Sequence, residues 1–189
     1  MKTAYFDCAS GASGDMLLGA LIDAGADLEE IKRLLEKLPL SNWQLTAQKT
    51  VKNHLSATKA DVSAPPEEHG RHLAEIEKII AAACLPEPVE KNSLAVFRRL
   101  ADAEAKIHGC SVEKIHFHEV GAVDAIIDIV GCCCALYVLN IERLYSSALP
   151  CGHGSVRCAH GLLPLPAPAD RKSTRLNSVT SLSRMPSSA

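Results

Sequence analysis

His116-Phe-His-Glu-Val-Gly-Ala-Val-Asp-Ala-Ile-Ile-Asp-Ile-Val-Gly131 reads as an extended segment that turns into a helix. On the extended part His116 and His118 share a face, because side chains alternate with period two. A helix from Gly121 to Leu139 then stacks Asp124 and Asp128 as i,i+4 neighbours. Five groups able to bind a metal or move a proton (His116, His118, Glu119, Asp124, Asp128) therefore fall in otherwise apolar surroundings. Such groups are costly to bury without partners. A His-x-His pair running into stacked carboxylates can converge on a divalent cation or on an acid–base site. The plainer reading is a pair of satisfied histidines at a strand end, with Asp128 paired to a distant Arg or Lys.

Outward from this junction, strand and helix signals keep alternating. Thr3–Cys8 predicts a short strand, Ser10-Gly11-Ala12-Ser13-Gly14 a tight loop, and Asp15–Ala24 an apolar helix ended by Gly25. Asp27 is placed to cap a second helix that runs to about Leu38 and stops at Pro39. Trp43 to Val62 alternates loosely with a break near Lys52-Asn53-His54, which predicts a hairpin. Prolines and a glycine make 63–70 a loop. His72–Cys84 and Glu87–His108 carry helical spacing, the latter closing on Gly109. Ile141–Leu149 predicts a further strand, and from Pro150 onward glycine and proline predict loops.

The fold class expected is α/β: a mixed sheet of few strands, including Thr3–Cys8 and Ile141–Leu149, covered by several helices. A single domain is expected over 1–169. Residues 170–189 turn abruptly to Ser, Thr and Arg without apolar periodicity, which predicts a disordered tail. One back-translation of Asp170–Ser178 matches common sequencing-adapter DNA, so this end is read as foreign, with the native chain continuing past Ala169.

Among 189 residues, 47% are hydrophobic and 22% charged, enough for a real core. A net charge of −2 provides no field for polyanions, which argues against nucleic acid and anionic membrane as partners. The start, Met-Lys-Thr-Ala-Tyr-Phe-Asp-Cys, has no apolar signal region, and Ala122–Leu139 is too short and too acidic to span a bilayer. Both features predict a cytoplasmic protein. The eight cysteines include no Cys-x-x-Cys, and Cys132, Cys133 and Cys134 are consecutive. Consecutive side chains on a helix diverge by about 100°, so the triplet cannot close on one tetrahedral ion. These cysteines are read as reduced, small core residues.

Two further constellations carry chemistry. At the first strand–loop–helix, Asp7 ends the strand, Ser10, Gly11, Ser13 and Gly14 form the loop, and Asp15 enters the first turn. Helix N-terminal amides bind phosphate and glycines let the backbone approach. Yet no P-loop lysine and no Gly-x-Gly-x-x-Gly spacing is present, and Asp15 would repel a bare phosphate unless a cation intervened. Simple helix capping by Ser13 or Asp15 explains the same residues. Near the end, Gly152-His153-Gly154-Ser155-Val156-Arg157-Cys158-Ala159-His160-Gly161 suits a ligand-contacting loop, with Arg157 available for an anion. His69 and His72, flanking the Pro-rich loop, are expected to face solvent mostly.

Three segments in order resemble one family: Asp7–Asp23, His116–Gly131 and Cys158-Ala-His-Gly-Leu-Leu-Pro-Leu-Pro-Ala-Pro168. They are similar to the LarC family of nickel insertion proteins, from about Lys2 to Ala169. The resemblance implies a CTP-dependent cyclometallase that inserts nickel into pyridinium-3,5-bisthiocarboxylic acid mononucleotide. The product is the nickel-pincer cofactor that the downstream lactate racemase system uses. That chemistry needs a nickel site, for which His116, His118 and Asp7 stand. It needs a base for the ring proton, from Glu119, Asp124 and His160, and an anion site for the substrate phosphate at Ser10, Gly11, Ser13, Gly14 and Asp15. The resemblance puts CTP and its divalent cation in a C-terminal domain beyond the Pro-Ala-Pro segment. The chain by itself is then expected to be inactive. His160 matches the family motif, whereas His153 does not. The alternatives are a nickel-binding or delivery module without activity of its own, and a metal-dependent phosphohydrolase.

Overall fold

A computed structural model describes residues 1–9, 11–52, 54–65, 70–117, 120–150, 155–158 and 161–164. Ser10, His69, His118, Glu119, His153, His160 and the expected tail at 170–189 lie outside the described residues. The elements follow in the order β1 (Thr3–Phe6), α1 (Gly14–Asp23), α2 (Leu28–Leu35), β2 (Gln44–Lys52) and β3 (Leu55–Ser63). Next come β4 (Arg71–His72), α3 (Leu73–Ala82), α4 (Glu87–His108), a 3-10 turn (Val112–Lys114) and β5 (His116–Phe117). The last are α5 (Val123–Val138), β6 (Arg143–Ser146), β7 (Ser155–Cys158) and β8 (Gly161–Pro164).

Local chemistry sets the boundaries. The Asp27 carboxylate accepts the Glu29 N–H at 3.0 Å and starts α2, satisfying one of the helix's orphan donors. Gly109 ends α4 in the left-handed conformation, φ 64°, which costs glycine little. The hairpin expected between Trp43 and Val62 is present as β2–β3, paired from Gln44↔Ser63 to Lys52↔Leu55.

The fold is α/β, with parallel and antiparallel pairing both present, in four two-stranded ladders among the described residues. β1 and β6 pair in parallel, Thr3↔Arg143 to Phe6↔Ser146, so the two strands expected at opposite ends of the chain are direct neighbours. β7–β8 departs from the expectation of loops after Pro150: Val156 pairs with Leu163 and Arg157 with Leu162. β-prone apolar residues outweigh the surrounding glycines there, and Pro164 closes the strand at its end, where proline is tolerated.

The helices supply the core. Leu18, Ile31, Leu35, Ile76, Ile80, Val89, Phe97, Ile126, Ile127 and Val130 are buried, each stabilising the fold by roughly 1.5–3 kcal/mol. α5 is central, packed against α1, α2 and α4. α1 also crosses β3 so closely that a Cβ on Gly19 would lie 2.5 Å from the Thr58 carbonyl oxygen. On its other side, Leu18 reaches Gly131 of α5. α1 is thereby pinned between β3 and α5, and its N-terminus is held against α5's acidic face. Among the described residues no helix is long and apolar enough to cross a membrane.

Candidate functional site

The loop between β1 and α1 is short and tight. The Gly11 N–H donates to the Cys8 carbonyl at 2.9 Å, with Gly11 at φ 91°, a conformation glycine adopts without strain. Asp7 is exposed and accepts the Ala9 N–H at 3.3 Å. Ser13 occupies the N-cap position of α1 but makes no side-chain cap; its hydroxyl donates instead to the Asp15 carboxylate.

Gly14 is the hinge of the site. A Cβ there would lie 2.8 Å from both Cβ and Oδ2 of Asp128. One turn further along α5, the Cys132 thiol donates to the Gly14 carbonyl at 3.6 Å. Asp128 thus meets the N-terminal turn of α1, not the distant Arg or Lys that the sequence suggested as a partner. Its Oδ1 is buried without a hydrogen-bond partner. Burial, and then the negative charges of Asp15 and Asp124, push the Asp128 carboxyl up to about 6. Asp124 is exposed in the first turn of α5 and accepts the Ala125 N–H at 2.8 Å. The first and second sequence motifs therefore meet at the α1–α5 crossing, where Asp15, Asp124 and Asp128 share one electrostatic neighbourhood. Asp128 is the perturbed carboxyl, whereas the sequence favoured Asp124. The approach of Gly14 on α1 helps to cover it.

His116 lies on β5, and pairing with β4 sets His72 directly opposite. The two rings stand edge to face, 4.8 Å between centroids and 88° between planes. Nδ1 of His72 is 2.8 Å from the Ile115 carbonyl. A carbonyl only accepts, so Nδ1 donates, and in a neutral ring Nε2 then keeps the lone pair, the arrangement usual for a metal-ligating imidazole. His72 is exposed, as expected, but its place beside His116 follows from strand register, which sequence spacing does not carry.

Glycines lock this corner. A Cβ on Gly70 would fall 1.7 Å from the Phe117 carbonyl oxygen, and one on Gly121 would fall 2.7 Å from that same oxygen. Arg71 Nη1 donates to the Gly121 carbonyl at 2.6 Å, tying β4 to the turn before α5.

Among the described residues no group of three or more His, Cys, Asp or Glu is arranged to hold a metal ion. Of the expected ligands, Asp7 lies just after β1 and His116 on β5, while His118 lies outside the described residues. Burial pushes the Cys132 and Cys134 thiols up to about 12, so they stay protonated and act as core residues. A cavity of about 390 Å³ lies elsewhere, lined by Lys32, Glu36, Trp43 and Gln44 among others, and contains none of the expected site residues.

Residues 4–180 match the family described as nickel insertion protein. The pyridinium-3,5-bisthiocarboxylic acid mononucleotide nickel insertion protein of Desulfitobacterium hafniense (strain DSM 10664 / DCB-2) is 52% identical over 169 residues, covering 89% of this chain and 42% of the relative. The protein of the same name from Staphylococcus epidermidis (strain ATCC 12228 / FDA PCI 1200) is 49% identical over 168 residues, with the same 89% and 42% coverage. A putative nickel insertion protein of Roseiflexus castenholzii is 48% identical over 168 residues, again covering 89% of this chain and 42% of the relative. No solved structure matches the chain. This chain thus spans less than half the length of these relatives, and with most of its length matched by the family model, it belongs to the nickel insertion protein family.

Proposed function

We propose that the chain is the nickel-handling, N-terminal portion of an enzyme that inserts nickel into pyridinium-3,5-bisthiocarboxylic acid mononucleotide. The observation that carries this reading is the meeting of two motifs at the α1–α5 crossing, with a half-buried carboxyl raised to about 6. Insertion replaces a ring C–H by a nickel–carbon bond and adds bonds to the two thiocarboxylate sulfurs. Nickel enters as a dication, the ring proton leaves, and no electrons are exchanged. A base is therefore required, and efficient bases titrate near the working pH. Asp128 fits that role, and Asp124, Glu119 and His160 are the further candidates for it.

Imidazole nitrogen suits nickel. His116 and His118 are the proposed ligands, with Asp7 completing the set and His72 adding its Nε2. Acidic Asp15, Asp124 and Asp128 favour a cation at the α1 N-terminus. The Ser10, Gly11, Ser13, Gly14 and Asp15 loop is accordingly proposed to take the substrate phosphate through its amides only with a cation interposed. The loop lacks a P-loop lysine, so CTP and its divalent cation belong, on this reading, to the C-terminal domain of the longer protein. A cytoplasmic location and service to lactate racemase complete the proposal. The missing nucleotide cradle also favours a second reading, a module that only delivers nickel.

Calorimetric titration of the 189-residue chain with nickel tests the metal role. His116→Ala/His118→Ala should weaken binding about tenfold or more, and wild-type binding should weaken as pH falls, because protons compete for imidazole lone pairs. Unchanged affinity in a folded double variant would remove it. In the full-length protein the same pair should abolish insertion; a full-length variant that still inserts would leave delivery, not catalysis, to be assigned elsewhere.

A further inference from the structure

The β1–β6 ladder is built as the start of a sheet. Its strands are four residues each and parallel. Among the described residues each has one strand neighbour. Parallel strands are normally covered on both faces, and two strands alone are marginal in water.

Residues in register share a face, which sorts the side chains. On the inner face Phe6 packs against the core, but Leu144 on the adjacent strand remains 42% exposed. On the outer face Tyr5 and Tyr145 lie side by side; Tyr5 is 62% exposed, whereas Tyr145 is partly buried. The core therefore reaches under β1 and stops before β6. The uncovered side is the β6 side.

We propose that the β6 edge and the Tyr5/Tyr145 face are the docking surface for the remaining polypeptide of the full-length protein, which adds a strand beside β6 and an apolar cover over Tyr5. The argument for this occupant is length: relatives at about half identity carry the larger part of their chain outside the matched region, which is 42% of the whole. A second copy of this chain fits less well. Stable dimers bury roughly 1,200 Å² or more, and a four-residue edge offers a fraction of that. A covalently joined segment instead acts at millimolar effective concentration and pairs through a short edge. The inference rests on the ladder and on the relatives' length, not on the nickel reading, and either can fail alone.

Hydrogen exchange by mass spectrometry tests it. Two chains are compared: the 189-residue chain, and residues 1–164 joined to the remaining sequence of the Desulfitobacterium relative. The Leu144 and Ser146 amides, which alternate with those donated to β1, should exchange at least about tenfold more slowly in the joined chain, with α5 protected in both. Should the joined chain lose α5 protection, the full-length Desulfitobacterium protein and its own matched region give the same comparison. Equal exchange at β6 with α5 protected overturns the proposal. So does protection that rises with concentration in the 189-residue chain alone, together with a dimer by light scattering, since the occupant is then a second copy.

Discussion

The α1–α5 crossing and the β1–β6 ladder are made from the same two stretches of chain, since β1 leads into α1 and α5 leads into β6. They are finished to different degrees. At the crossing, Leu18 is fully buried against Gly131, and Asp128 fills the space that a side chain at Gly14 would need. At the ladder, Tyr5 and Leu144 stand in solvent. Helices close their own backbone hydrogen bonds and need only a packed stripe, whereas strands need neighbours on their edges and cover on their faces. The helical packing at the crossing is therefore complete while the faces of the ladder stay exposed.

The largest expected effect contrasts the two regions directly. Leu18→Ala should destabilise the chain by about 3 kcal/mol, because α1 is pinned on both sides and the cavity cannot collapse. Leu144→Ala should change stability by less than about 0.5 kcal/mol. Denaturant titration of both variants measures the gap; equal losses would mean that the ladder is as well packed as the crossing.

Next in size is the carboxyl at the crossing. Folding raises Asp128 from 3.8 to about 6, so the folded state holds that proton more tightly. The resulting stabilisation is complete below about pH 4 and is lost as pH rises through about 6. At neutral pH the ionised group costs on the order of 1 kcal/mol after allowing for its half-exposure. Asp128→Asn should therefore gain about that much at pH 7 and nothing at pH 4, read as the wild-type-to-variant difference in unfolding free energy. A difference that stays flat across this range would break the assignment of Asp128 as the strained group.

The smallest effect sharpens the same comparison chemically. With its thiol pushed up to about 12, Cys132 at the crossing should be ionised to only about one part in ten thousand at pH 8 and resist alkylation in the native state. Exposed Cys84 serves as the internal reference. Peptide mapping after a short iodoacetamide pulse should find Cys84 labelled and Cys132 not. Labelling of Cys132 at a similar rate would show the crossing opening on that timescale.

Sequence patterning alone located the elements that local chemistry defines. Asp27 as a cap, Gly109 as a terminator and the Lys52–His54 break all act within a few residues, and each stands where expected. β7–β8 was misread, because glycine and proline counts obscured the cross-strand pairing of Val156 with Leu163.

By itself, the sequence determined the α/β class, the helical core and the family, since periodicity, caps and long motifs survive without knowledge of what touches what. Tertiary structure alone decided which acidic group is perturbed and which histidines are neighbours. Asp124 and Asp128 look alike in sequence, one turn apart on a helix. Gly14 of another helix packs onto Asp128 and half-buries it, while Asp124 stays exposed. His72 lies far along the chain from His116, and only strand register sets it opposite. Desolvation and register are properties of contact between distant segments, and no local pattern encodes them.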